Sequence, residues 1–265
     1  DSEGMVDEDP VRANAFRYRD WVIRSIDADM PLDQFIQQQL AGDEMVGRKL
    51  ENLTAEEVSK LTATGFLRMA PDGTASGDVN QDTARNSVVS ETIKIVSTSL
   101  LGITVGCAQC HNHPFDRWTQ DDYYGFAAFF AQVGRKGAED PREQIVFNRR
   151  SGEVKHPVGG KTVPPKFLGG PVPELGGKDR RAVLAEWLTA PENPWFARSL
   201  ANRVWAHFMG PGIVEPVDDA RVSNPPSNGP LLGALADRLV ESGYDFKALV
   251  REVLNSRAYQ RSAAA

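Results

Sequence analysis

Residues 86–116 read NSVVSETIKIVSTSLLGITVGCAQCHNHPFD, and this stretch decides the architecture. Val89, Ile93, Val96 and Leu100 recur at i, i+4, i+7 and i+11, the spacing of one buried helical face. Gly102 is placed to stop that helix, since glycine tolerates the left-handed backbone that closes a helix end. Downstream, Thr119 with Asp122 caps a further helix carrying Tyr123, Phe126, Ala127 and Phe130 on one face. Cys107-Ala108-Gln109-Cys110-His111 therefore sits on a tight loop between two amphipathic helices.

Working outward, residues 14–26 are helical in pattern, with Arg17, Arg19 and Arg24 interleaved with Phe16, Trp21 and Ile26. Pro31 suits the first turn of a second helix, whose apolar stripe is Leu32, Phe35, Ile36 and Leu40. Thr54 with Glu57 is a capping box. The first ten residues are acidic and polar, and residues 70–82 read as a loop. From 134 to 177 Pro, Gly and Lys dominate; residues 144–148 and 153–166 are expected to pair as strands around a turn at 150–152. Asp179 is the N-cap of a second helical block. Its stripes are Leu184, Trp187 and Leu188; Phe196, Leu200 and Val204; Leu231, Leu235 and Leu239; and Phe246, Leu249, Val250 and Val253. The expected fold is mainly α: two helical blocks joined by a Pro/Gly-rich connector with a small β-hairpin. The divisions fall at residues 1–133, 134–177 and 178–265.

Both cysteines of the 265-residue chain and one of its four histidines lie in the loop. C-x-x-C-H is the attachment signature of haem c: two thiols bond to one porphyrin and the following imidazole binds the iron. Cys107 and Cys110 are the thioether candidates and His111 the proximal ligand. Zinc is the alternative cofactor, with donors from Cys107, Cys110, His111 and His113, although four ligands within seven residues surround one ion poorly. A redox dithiol lacks its flanking βαβ pattern, and two buried thiols remain the plain reading. His207 is the better-placed candidate for a sixth iron ligand, in competition with a structural role between helices. His113 lies too close to the proximal ligand to reach the other face of a porphyrin. It is expected to bond a propionate, a backbone carbonyl or Asp116. Met69 and Met209 are further candidates, and His156 is expected to be exposed in the connector. Arg117 either pairs with Asp116 or neutralises a haem propionate.

Two further polar groups have competing readings. Asp78, Asn80 and Asp82 alternate as in a calcium loop but lack its closing Glu, which favours a solvated turn. Asn202, Arg203, Asp218 and Asp219 form a polar cluster that could line a cleft or simply bond helices together.

The net charge of −6 gives nucleic-acid binding no electrostatic support. No run approaches the 18 apolar residues of a membrane span. Haem is attached to this motif outside the cytoplasm, so an extracytoplasmic location is expected. The chain starts at Asp1 without a signal peptide and reads as a fragment of a longer exported protein.

The surroundings of the motif extend the reading. Residues 100–116, then Asp121-Asp122-Tyr123-Tyr124 and Phe129-Phe130, resemble the planctomycete-type cytochrome-c-like domain, as do residues 14–23 and 38–43 upstream. Residues 184–188, 193–198, 202–208, 212–219, 224–227 and 256–260 resemble the planctomycete-specific domain that follows it. The resemblance implies haem, export and electron transfer to an unknown redox partner, and supplies no substrate. The expected function is an exported haem c-binding electron-transfer protein. Two alternatives stand beside it. One is an extracytoplasmic catabolic or redox enzyme, for example acting on polysaccharide, whose second block binds substrate. The other is a structural zinc module at the Cys/His loop.

Overall fold

The computed structural model describes residues 11–75, 80–137 and 143–261. The architecture is mainly α, as the periodicity predicts. The first block holds α1 (Ala15–Asp27), α2 (Leu32–Ala41), α3 (Ala55–Ala63), α4 (Gln81–Leu101) and α5 (Gln120–Ala127). The second holds α6 (Arg180–Thr189), α7 (Phe196–Met209), α8 (Gly229–Glu241) and α9 (Phe246–Asn255).

Local chemistry sets most of the helix starts. The Thr54–Glu57 capping box opens α3 and a Thr119–Asp122 box opens α5, each satisfying amide donors that have no partner within the helix. The Asp179 carboxylate accepts from the Arg181 amide to open α6, and Asn193 accepts from the Trp195 and Phe196 amides to open α7. Asn80 accepts from the Asp82 and Thr83 amides as the cap of α4, so it acts as a helix cap in the turn read against a calcium loop. Asp78 and the first ten residues lie outside the described residues. Gly102 ends α4 at φ 67°, and a Cβ there would stand 2.9 Å from Ser199 Oγ, so conformation and space both call for glycine. Helix α5 is shorter than expected: it stops at Ala127, and Phe130 is buried from the turn that follows.

The connector differs from the expected hairpin. Strand β2 (Gln144–Asn148) forms where predicted, but pairs antiparallel with β1 (Val133–Gly137), placing Val133 opposite Asn148. A separate ribbon joins β3 (Val154–Lys155) to β4 (Thr162–Val163). Val-Gly-Arg-Lys-Gly carries too little alternation and too much glycine to read as a strand. Its partner is chosen in space: the Arg149 amide donates to the Gln132 carbonyl, and a Cβ on Gly152 would meet the Ala131 carbonyl oxygen.

One continuous apolar core runs through both helical blocks, from Leu32, Ile36 and Leu40 through Ile93 and Phe126 to Leu184, Leu188, Phe196 and Leu239. A row of rings stitches the connector into it: Phe129 stacks on Phe167 at 5.5 Å, Phe167 on Trp187 at 4.7 Å, and Trp187 meets Trp195 at 6.0 Å. Beneath this seam Arg181, 2% exposed, makes two 2.8 Å bonds to Asp43 and lies 3.3 Å from Asp179. Helix α7 lies along α4, with Arg203 donating to the Thr98 carbonyl at 2.5 Å. Burial lowers the Arg203 guanidinium, and the Asp218 charge partly offsets that. Asn202 is fully enclosed, its amide bridging the backbone of Val214, and Asp219 pairs with Arg221 at 2.6 Å. Asn202 and Arg203 of the polar cluster thus bond α7 to neighbouring segments, whereas the Asp219–Arg221 pair is local.

Candidate functional site

Three side chains clamp Gln109, one of the two residues between the cysteines. The Cys107–Cys110 segment follows Gly102 and forms a short 3₁₀ turn, Gly106–Gln109, with Ala108 buried beneath it. The Gln109 carbonyl accepts from Tyr124 Oη at 2.9 Å and from Gln120 Nε2 at 3.3 Å, both on α5. The Gln109 side-chain oxygen takes the Ser90 hydroxyl of α4 at 3.2 Å, and Ser90 accepts from Tyr123 Oη at 3.0 Å. Burial raises both phenols, with Cys110 adding to the effect on Tyr124, so each stays a proton donor at neutral pH. The two helices that the periodicity predicts therefore both hold Gln109, α4 through its side chain and α5 through its carbonyl.

On this turn Cys107 and Cys110 are free thiols, both exposed. Exposed His111 follows directly, and its Nδ1 lies 2.8 Å from the Asn112 carbonyl oxygen. A carbonyl can only accept, so Nδ1 carries the proton and Nε2 is the nitrogen with the free lone pair. A metal-binding imidazole is commonly set up in this way.

His113 has the opposite tautomer. It is 9% exposed, and its Nδ1 accepts from the Phe115 amide at 3.2 Å, which leaves the proton on Nε2. That bond takes up the Nδ1 lone pair, so His113 braces the loop, and its Nε2–H keeps the donor that a propionate would accept. The His113 amide donates to the Trp118 carbonyl at 2.8 Å, closing the loop on buried Trp118.

Three other expectations change. His207 is exposed on the last turn of α7 with its ring edge on Phe208 at 4.8 Å, so it is not a buried histidine between helices. His156 is not in open solvent: it packs edge-on against Tyr124 at 5.3 Å, with Nε2 3.4 Å from Asp121. Asp116 binds the Arg117 amide at 2.8 Å and forms no ion pair with its guanidinium, which lies over Trp118 at 4.8 Å and Trp195 at 5.6 Å. Met69 is exposed at 41%. No sequence signal pointed to Gln109 or to the His156–Tyr124 contact, because both arise from packing between separate segments.

The donor set fits a covalently held haem. Two accessible thiols three residues apart stand on a pinned turn, followed by an imidazole in the iron-binding tautomer. Among the described residues no three His, Cys, Asp or Glu side chains form a preformed cluster.

The base of the site is tied to the connector by Asp122, whose carboxylate bonds Thr119 and takes Lys166 Nζ at 2.9 Å. Burial alone would raise this carboxyl, but the Lys166 and Thr119 bonds together hold it below its ordinary value. A lowered folded-state value contributes stability above about pH 4, the ordinary range of Asp, and that stability is lost as the pH falls through the folded-state value. Asp122→Asn is therefore expected to lower the urea midpoint at pH 7, with the gap to the parent chain closing as the pH falls to about 3. An equal gap at both pH values would show that the charge is not what stabilises the cap.

No helix among the described residues is long and apolar enough to cross a membrane. Neither a curated protein nor a solved structure matches the chain. Residues 180–265 match the PSD1 family, described as a protein of unknown function (DUF1553). Residues 1–135, half of the chain and the part that carries the Cys/His loop, match the family described as a protein of unknown function (DUF1549), and the chain therefore belongs to that family, PSCyt2.

Proposed function

We propose that this chain is an extracytoplasmic haem c-binding protein acting in electron transfer, with Cys107 and Cys110 as the thioether residues and His111 as the proximal ligand. The observation that carries the reading is the His111 contact: Nδ1 lies 2.8 Å from the Asn112 carbonyl oxygen, an acceptor that leaves Nε2 for a metal, directly after two exposed thiols. A haem held there supplies one-electron chemistry at iron. The chain's own residues supply the rest. Tyr123, Tyr124, Gln120 and Ser90 fix the turn so that both sulfurs and the imidazole keep their spacing. Trp118 and Trp195 hold the Arg117 cation beside the loop, where it can meet a carboxylate. Attachment at this motif takes place outside the cytoplasm, which supports the location.

The test is a pyridine haemochrome spectrum of protein matured with the haem-attachment machinery and extracted with acidified organic solvent. The expected result is a c-type spectrum that stays with the polypeptide. Folded, colourless protein carrying one equivalent of zinc would overturn the reading in favour of a structural metal module.

A further inference from the structure

Phe115 stands 70% exposed, more than any other aromatic ring among the described residues. A flexible loop would turn such a side chain inward, because apolar surface in water is unfavourable. Here the backbone on either side of the ring is tied down. The base of the loop is closed by the His113–Trp118 backbone bond at 2.8 Å, and the Phe115 amide is tied to His113 Nδ1 at 3.2 Å. Pro114 restricts the backbone just before Phe115, and the Arg117 amide is taken by Asp116 at 2.8 Å. His113 and Trp118, which anchor the two ends, are themselves buried. The chain thus uses a buried histidine and a buried tryptophan to hold a phenylalanine in solvent, four residues after the candidate proximal ligand.

We propose that Phe115 is the apolar cover of the haem group attached at Cys107 and Cys110, a binding residue held ready by the His113 brace. The proposal rests on the haem reading above. Covering the group with an apolar ring removes water from around it. Ferric haem carries one more positive charge than ferrous haem, so water favours the oxidised form and an apolar cover favours the reduced form. Phe115 would therefore raise the midpoint potential.

The experiment compares the full haem-loaded chain with its Phe115→Ser variant. Covalent haem content is expected to be unchanged, because the thioethers are untouched. The midpoint potential is expected to fall by the equivalent of about tenfold in the ferric-to-ferrous equilibrium, about 59 mV for one electron. The same substitution in an unloaded Cys107→Ala, Cys110→Ala background is expected to leave the melting temperature unchanged. An unchanged potential in the loaded variant overturns the proposal while the haem reading stands. A lower melting temperature in the unloaded chain also overturns it, by assigning Phe115 to packing within the polypeptide. Absence of covalent haem from the parent chain removes both readings together.

Discussion

The Cys107→Ala, Cys110→Ala double variant is expected to lose all covalently bound haem while keeping its fold. Both thiols are exposed and free, so neither contributes to the core, and truncating exposed side chains changes stability by at most about 0.5 kcal/mol. The turn itself is held by Gln109, through Tyr124, Gln120 and Ser90, none of which the substitutions touch. Colour retained after acid-solvent extraction would refute the thioether assignment. Each single variant keeps one sulfur and is expected to retain haem through one bond. His111→Ala leaves both sulfurs in place, so pigment is expected to stay attached while the absorption bands of an imidazole-bound iron are lost. Together these variants separate attachment from ligation, which a single loss of colour cannot do.

Arg181→Met is expected to destabilise the chain by about 3–5 kcal/mol, the usual cost of stranding a buried charge. The side chains of Arg181, Asp43 and Asp179 are 2–3% exposed, with Asp43 contacting the guanidinium bidentately at 2.8 Å and Asp179 at 3.3 Å, while the more exposed Glu44 lies at 3.8 Å. Burial works against the guanidinium charge, but the Asp43 charge and bonds, then Asp179, outweigh it and hold the cation above its ordinary value. Removing the cation leaves the buried Asp43 and Asp179 carboxylates without their shared partner. The Arg181→Met, Asp43→Leu double variant is expected to recover much of the loss, since an apolar pair can replace a buried ion pair at little cost. Urea unfolding at pH 7 measures both. A single-variant loss below about 1 kcal/mol would mean that water reaches the carboxylates and that the seam is open. The pair joins the end of α2 to the start of α6, and the apolar core is continuous across that junction. Both helical blocks are therefore expected to unfold in one transition.

Features legible in the sequence are those that close within a few residues. Thr54 with Glu57, Thr119 with Asp122 and Asp179 announce their helices because a cap bonds amides two or three positions away. The Val89-to-Leu100 stripe announces α4, and Gly102 its end, for the same local reason. The Cys107–His111 spacing announces the chemistry. The roles of the histidines were not legible. His111 and His113 differ in tautomer only because one ring meets a carbonyl and the other an amide, and backbone direction decides which. His156 reaches Tyr124 because the β3–β4 ribbon lies on α5, which no periodicity encodes.

The sequence alone therefore determined the capped starts of helices such as α3, α5 and α6, the faces that the apolar stripes bury, and that two thiols and an imidazole share one loop. Tertiary structure decided the partner of strand β2, the brace role of His113, the exposed place of His207 and the burial of Arg181 against a carboxylate 138 positions away. The physical reason is range. Caps and apolar stripes gain their free energy from neighbours along the chain, whereas strand pairing and ion-pair burial gain theirs from segments that meet only once the whole core has formed.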